Sequence, residues 1–474
     1  MTIVDLVATT LPAPDLPAAE FSATLTAGPP VAAVILAAGR GTRMKSELHK
    51  VLHPLAGRPM LLHLMASVAE LQPARTVIVV GAQREQVEAA VAGTGAAVVV
   101  QEPQLGTGHA VQQAHAALAG FDGVVLVLYG DVPLVESATL ARMLAALDDQ
   151  TAVVVLGFRP ADPGHYGRVI ADADGRIILM VEYKDADAAE RAVTLCNSGM
   201  MAVRARDLWP LMARVDNANA AGEYYLVDIA TMAATDGLGA RVIETGAAEV
   251  AGVNSRAELA AVEAAWQQRR RTAMMAAGVT LLDPVTTYFA YDTEIARDVT
   301  IEPGVFFGPG VRVGEGSTIR AFSHIAGATV GANVEVGPFA RLRAGAELGD
   351  KSKVGNFVEV KQAKLGPGAK ASHLSYLGDA DIGAGANVGA GTITCNYDGF
   401  FKYRTSIGAG AFIGSNSALV APVTIGAGAI VGAGSVVTAD VGTDALVLVR
   451  PPQVEKPGWA ARFRAAMTAR KAAR

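Results

Sequence analysis

IEPGVFFGPGVRVGEGSTI, from Ile301 to Ile319, places a large apolar residue at every sixth position. The count returns as VGPFAR, LRAGAE, LGDKSK and VGNFVE between Val336 and Glu359, and again as IGAGAF, IGSNSA, LVAPVT, IGAGAI and VGAGSV between Ile407 and Val436. A period of six fits neither a helix nor an alternating strand, and it is the signature of a hexapeptide β-helix. Three hexads make one triangular coil. The residue that opens each hexad points inward, a small neighbour lets the chain turn the corner, and coils stack about 4.8 Å apart. The count slips by one residue between Ile325 and Val330, between Val360 and Leu365, and between Leu377 and Ile382. It breaks after Val388, where TCNYDGFFKYRTS intervenes before Ile407. That excursion is expected to project from one edge as a loop carrying binding residues. Read by itself, the solenoid is a spacer, an oligomerisation rod or a binding platform.

A chain of 474 residues is long enough for two or three domains, each with its own core. A formal net charge of -5 argues against a nucleic-acid partner. Two cysteines, Cys196 and Cys395, make no disulfide framework, so a reducing cytoplasm is the expected compartment. No uninterrupted apolar run reaches the roughly 18 residues of a membrane span. Residues 1–30 are rich in Ala, Pro and Thr and carry no Lys or Arg, which reads as a disordered leader without the basic start of a secretory signal.

Order is expected to begin at VAAVILAAG, a buried strand from Val31 to Leu36 that runs into the loop Gly39, Arg40, Gly41, Thr42, Arg43. Backbone amides in such a loop approach a polyphosphate closely, and an arginine adds a charge-assisted hydrogen bond. Strand and helix patterns then alternate as RTVIVVGA, QREQVEAAVAG and AAVVVQ, as a parallel α/β sheet requires. GVVLVLYGDVPLV delivers Asp131 to the carboxyl edge of that sheet, where open α/β folds bind ligands. One carboxylate with substrate phosphates suits Mg²⁺, although an aspartate at a strand end is also a common turn former. Asn254 and Ser255 stand directly before a helix, and Ser255 with Glu258 has the spacing of a capping box.

LAAGRGTRM followed by LHK, which ends on Lys50, resembles the sugar nucleotidyltransferases, enzymes that join a sugar 1-phosphate to a nucleoside triphosphate. The resemblance implies that Arg43 and Lys50 act on the phosphates, with Leu36 and Gly39 against the nucleotide. QEPQLGTGHAVQQA resembles the uridylyltransferases among them, which implies that Gln101, Gly106 and Thr107 contact uracil. YGRV, MVEYKD and LCNSG place Gly167, Glu182 and Asn197 at the family's sugar-binding positions. GDVP and VAGVNS place Asp131 and Asn254 at the positions that hold Mg²⁺, Asn254 also facing the sugar nucleotide. GEYYLVDI, Gly222 to Ile229, is similar to a segment of the bacterial uridylyltransferases in particular. His49 stands where the family commonly has proline, an expected change in loop stiffness.

In the solenoid, Arg343 and Lys361 each follow an inward residue and lie one full coil apart. Their side chains are expected to leave one face about 4.8 Å apart, where like charges repel unless an anion sits between them. His373 and Tyr376 come about two-thirds of a coil later, and a neutral imidazole suits a general base. RLRAGAEL, VGNFVEVKQAKLG, SHLSYLGDADIG and GAGTITCNYDG, in that order, closely resemble the acetyltransferase half of the bifunctional bacterial enzymes that make UDP-N-acetylglucosamine. Prisms of this kind also resemble the hexapeptide acyltransferases, which are trimers with active sites between adjacent prisms.

The resemblance covers about Val31 to Arg450. It implies that Arg343, Lys361 and Tyr376 grip the phosphate of glucosamine 1-phosphate and that His373 takes a proton from its amine. Asn387, Asn396 and Tyr397 fall at sugar-contact or catalytic positions. Ala390, Ser415, Ala433 and Arg450, with Asn396 and Tyr397, match positions that contact acetyl-CoA. Cys395 sits beside them, and the basic tail 451–474 forms a short helix or stays solvated.

The resulting expectation is an α/β chain: a Rossmann-like uridylyltransferase domain over 31–255, a linker helix over 256–277, and a left-handed parallel β-helix over 278–450. As a cytoplasmic homotrimer with Mg²⁺, without membrane or nucleic-acid partners, it would use glucosamine 1-phosphate, acetyl-CoA and UTP. The alternatives are a sugar-1-phosphate nucleotidyltransferase with a purely structural β-helix, and a non-enzymatic subunit built from the same two folds.

Overall fold

A computed structural model describes residues 28–39 and 41–473. Most of the expected leader, and Arg40, lie outside the described residues. The chain divides into two compact units, and the boundary falls after Gln268, inside the helix Arg256–Ala276.

The first unit is built on a twisted sheet. Its main strands are β1 (Val31–Ala37), β2 (Arg75–Val80), β3 (Ala97–Val100), β4 (Val124–Tyr129), β5 (Val153–Phe158), β6 (Cys196–Arg204) and β7 (Ala240–Thr245), in the order β7-β5-β6-β4-β1-β2-β3. β1 pairs parallel with both β2 and β4, while β6 runs antiparallel between β4 and β5. β1 explains the near-continuous apolar run of the sequence. Ala32, Val34 and Leu36 enter one core, Ala33, Ile35 and Ala37 enter the other, and a strand covered on both faces has no polar side to show. β1 and β4 therefore end together, with the Gly39 loop and Asp131 at the same carboxyl edge.

The helix Arg256–Ala276 closes with Gly278 at φ 92° and with Val279 N–H bonded to the Met274 carbonyl at 3.1 Å, so a glycine in the left-handed region ends it. The strands of the second unit are mostly two or three residues long and pair only in parallel, coil upon coil. One face runs through Ile301, Ile319, Val336, Val354, Ala371, Val388, Ile413 and Val431, all buried. The slips in the hexad count are coils shortened by one residue, so the inward positions stay stacked. The excursion is a hairpin, with Tyr397 bridged to Lys402 and the Tyr403 N–H bonded to the Asn396 carbonyl at 2.9 Å. Its base is tied by an ion pair from Arg404 to Asp381. Residues Trp459–Ala472 of the tail form an exposed helix. No helix among the described residues is long and apolar enough to cross a membrane.

Candidate functional site

At the carboxyl edge of the first sheet, Lys50 Nζ lies 2.5 Å from Oδ2 of Asp131 and 3.1 Å from Oδ1 of Asn254. Two hard oxygens thus converge on one point, although no cluster of three acidic, His or Cys ligands exists among the described residues. That donor set fits Mg²⁺, which takes one or two protein oxygens and completes its shell with phosphates and water.

The convergence is built by the backbone. Val253 N–H bonds to the Asp131 carbonyl at 2.9 Å, which brings Asn254 alongside. The expected capping box is modified. Glu258 N–H donates to Ser255 Oγ at 3.3 Å, but the Glu258 carboxylate accepts from the N–H of Asn254 at 2.7 Å instead of that of Ser255. The cap therefore also fixes Asn254. Gly41 sits at φ 60°, and a Cβ there would lie 2.6 Å from Cβ of Lys50, so only glycine lets the loop and the lysine approach. Arg43 is exposed beside this loop and has no ion-pair partner among the described residues.

His49 has φ -55° and ψ 138°, values that proline would also adopt. Gln86 supplies the stiffness. Its Oε1 accepts from His49 N–H at 2.8 Å and its Nε2 donates to the Glu47 carbonyl at 2.9 Å. The His49 ring is 1 % exposed with neither nitrogen partnered, and burial, then Lys50 and His53, push its pKa down.

The other residues expected at the nucleotide and sugar flank the same edge. Gln101 is buried and donates to the Gly106 carbonyl at 2.9 Å, so it braces the loop that carries Gly106 and Thr107. The segment Gly222–Ile229 closes on that loop, with Leu226 N–H on Thr107 Oγ1 at 3.1 Å and Tyr224 N–H on the Leu105 carbonyl at 2.9 Å. β6 has a bulge between Asn197, which still pairs with Gly157, and Met201, and the Oδ1 of Asn197 accepts from Gly199 N–H at 2.8 Å within it. Asn197 N–H bonds to the Gly167 carbonyl at 2.9 Å, and Gly167 lies against the Glu182 carboxylate. Burial, then Asp228, Asp185 and Glu223, raise the pKa of Glu182.

In the solenoid the expected residues fall into two groups. Backbone bonds from Gly391 to His373, Asn416 to Ala390 and Gly434 to Ser415 stack His373, Ala390, Ser415 and Ala433 on successive coils of one edge. Arg450 reaches back to the Ala433 carbonyl. His373 Nδ1 lies 2.5 Å from Oδ1 of Asn356, its register partner one coil earlier. Around the corner, Arg343, Lys361, Tyr376 and Asn396 gather on the adjoining face. Asn387 stands apart from them in the strand Asn387–Val388, paired with Lys370 and Phe412. Tyr397 is exposed on the hairpin, its hydroxyl on the Gly399 carbonyl at 2.6 Å.

The expected repulsion between Arg343 and Lys361 is present, and a residue the hexad count does not single out eases it. Glu359 accepts from Arg343 at 2.8 Å and so offsets its charge. The crowded like charges are Lys361 and Lys402, the latter brought back by the hairpin. Contact with Lys402, burial, and the charges of Lys402 and Arg343 lower the pKa of Lys361, against the opposing pull of Asp379. Arg343, Lys361 and Lys402 thus form a cationic patch that Glu359 and Asp379 only partly offset, and such a patch attracts an anion.

Comparison with known proteins places both halves. Residues 33–221 match the MobA-like NTP transferase domain, and residues 292–327 and 404–439 match the bacterial transferase hexapeptide (six repeats). The chain is 66 % identical to the bifunctional protein GlmU of Sphingopyxis alaskensis over 94 % of this chain and 98 % of that one. It is 65 % identical to that of Rhizorhabdus wittichii, over 94 % and 99 %, and 57 % identical to that of Zymomonas mobilis, over 93 % and 99 %. Likeness at this level across nearly the whole of both chains extends to the two halves together, and the chain belongs to the GlmU family of bifunctional acetyltransferases and uridylyltransferases that make UDP-N-acetylglucosamine.

Proposed function

We propose that the solenoid acetylates glucosamine 1-phosphate from acetyl-CoA and that the first unit then joins the N-acetylated product to UTP, with release of pyrophosphate. The observation that carries the division of labour is His373. Its Nδ1 is engaged by an oxygen that can only accept, which puts the proton of the neutral ring there and makes Nε2 the basic atom.

In acetyl transfer, Arg343, Lys361, Lys402 and Tyr376 bind the acceptor's phosphate. His373 Nε2 takes a proton as the amine attacks the thioester carbon; the carbon–nitrogen bond forms and CoA leaves as thiolate. Ala390, Ser415 and Ala433 line the edge along which the CoA arm lies. In uridylyl transfer, a phosphate oxygen of N-acetylglucosamine 1-phosphate attacks the α-phosphorus of UTP. Arg43 and the Gly39 loop hold the triphosphate, Glu182 and Asn197 hold the sugar, and Lys50 offsets charge as pyrophosphate leaves. Asp131 and Asn254 would hold Mg²⁺, which when bound neutralises the phosphates and polarises them towards attack.

A cytoplasmic homotrimer is the assembly we infer. Phe322, Phe339 and Phe357 form a stacked, exposed ladder on one prism edge, which supports association through the solenoid. The deciding experiment supplies UTP, Mg²⁺ and glucosamine 1-phosphate with and without acetyl-CoA and follows sugar nucleotides by mass spectrometry. UDP-N-acetylglucosamine is expected only with acetyl-CoA. Its absence with glucosamine 1-phosphate, alongside its formation from supplied N-acetylglucosamine 1-phosphate, would reduce the solenoid to a structural element.

A further inference from the structure

Asp379 lies in the strand Tyr376–Ile382 with φ 47°, in the left-handed region where a side chain is costly. Earlier coils of the same edge place Gly327 and Gly345 there, followed by Gln362. Non-glycine residues hold the left-handed corner on other coils too, as Phe322, Phe339 and Phe357 do, and what singles Asp379 out is what its carboxylate touches. Oδ2 of Asp379 accepts from Nδ2 of Asn396 at 2.5 Å, which ties the first buried residue of the hairpin to the coil beneath it. The residue before it, Gly378, pairs in register with Lys361. A Cβ on Gly378 would lie 2.4 Å from the Tyr376 hydroxyl and 2.8 Å from Asn396 Nδ2, so both side chains close over this one peptide. Asp379 is also the one carboxylate among the groups that act on Lys361, where Lys402 and Arg343 both repel.

We propose that Asp379 is a positioning residue of the acetyl-transfer site. Its carboxylate anchors Asn396 at the root of the hairpin and so returns Lys402 to Lys361, assembling the cationic patch before the sugar phosphate arrives. Without that anchor the root of the hairpin is held by the Arg404–Asp381 pair and by backbone bonds alone, and the two lysines separate by mutual repulsion. The inference rests on the reading of Arg343, Lys361 and Tyr376 as the acceptor's phosphate site.

The test compares D379G and D379N in the full-length chain. Glycine suits the left-handed backbone and removes the anchor; asparagine tolerates the same backbone and keeps an oxygen that accepts from Asn396. For D379G, kcat/KM for glucosamine 1-phosphate is expected to fall by about tenfold or more, as misplacement within a site does. The KM for glucosamine 1-phosphate rises, while uridylyl transfer and the melting temperature hold at or above those of the parent. D379N restores at least half of the parent kcat, with a KM for the sugar phosphate no higher than the parent's, because one negative charge has left the patch. Acetyl transfer by D379G within twofold of the parent would overturn the proposal, and so would equal loss in D379G and D379N. K361A separates this from the reading it rests on. If K361A leaves the KM for glucosamine 1-phosphate unchanged, the phosphate site is wrong, whatever the Asp379 variants do.

Discussion

His373 and Asn356 stand at the same position on neighbouring coils, joined side chain to side chain at 2.5 Å. The amide oxygen fixes the proton on Nδ1 and leaves Nε2 as the only basic atom of the ring. N356A is expected to lower acetyl-transfer kcat by roughly 10- to 100-fold, a fraction of what a general base contributes. N356D should keep the tautomer but favour the imidazolium, so the acid limb of the pH–rate profile moves about one unit to higher pH. Uridylyl transfer, measured in parallel, should not change in either variant.

Loss of the Lys50 ammonium from between Asp131 and Asn254 should affect the other reaction alone. K50A is expected to lower uridylyl-transfer kcat/KM by about 10²- to 10³-fold, with acetyl transfer at the parent rate. EDTA should likewise abolish uridylyl transfer and spare acetyl transfer, and added Mg²⁺ should restore it. Equal inhibition of both reactions by the chelator would count against a metal confined to the first unit.

Gln86 clamps the Lys50 loop through His49 and Glu47. Q86A should raise the KM for UTP by about three- to tenfold, on the scale of two lost hydrogen bonds that only position a loop. H49P in that background should recover part of the loss, because the backbone at His49 already has proline's φ. A double variant no better than Q86A would show that the clamp does more than stiffen the loop.

Asp228 opens the helix Asp228–Thr235, and its pKa is pushed up to about 6 by burial, then by Asp216 and Asp185. A raised carboxyl pKa makes the charged form costly in the folded state. The penalty is present in full above about pH 6, shrinks as pH falls from there towards the ordinary carboxylate value of 3.8, and is gone only below it. D228N should therefore stabilise the first unit at pH 8, by about 1 kcal/mol once solvent screening and the favourable helix N-terminus are discounted, and by roughly half as much at pH 5. Urea unfolding at the two pH values reads the difference.

The hexad count located the solenoid, its shortened coils and its hairpin because each inward position repeats a local rule. β1 and the Asp131 strand were legible for a related reason, since burial on both faces leaves an unbroken apolar run. What sequence reasoning missed depends on which coil lies on which. Glu359 precedes an inward residue and resembles any exposed polar position until stacking sets it against Arg343. Lys402 lies where the count is interrupted and no register assigns it a neighbour. Asp379 and Asn356 reveal themselves through a backbone angle and a cross-coil hydrogen bond. Gln86 belongs to a helix remote in sequence from the loop it holds. At His49, read as a change in stiffness, the backbone has angles that proline also adopts, and the bonds from Gln86 that hold the loop had no signal in the sequence.

The edge that carries His373, Ala390, Ser415 and Ala433 is graduated. Each coil advances it by about 4.8 Å, so the three steps from the imidazole to Ala433 span about 14 Å. Reach along this edge is counted in whole coils and has no intermediate values. If the donor lies along this edge as proposed, the prism is a ruler for it, and chain length is converted into the distance between the reacting carbon and the far end of the molecule that brings it. Adding a coil between His373 and Ala433 would lengthen that ruler by one fixed division, the new coil taking over the coil-to-coil hydrogen bonds at the point of insertion.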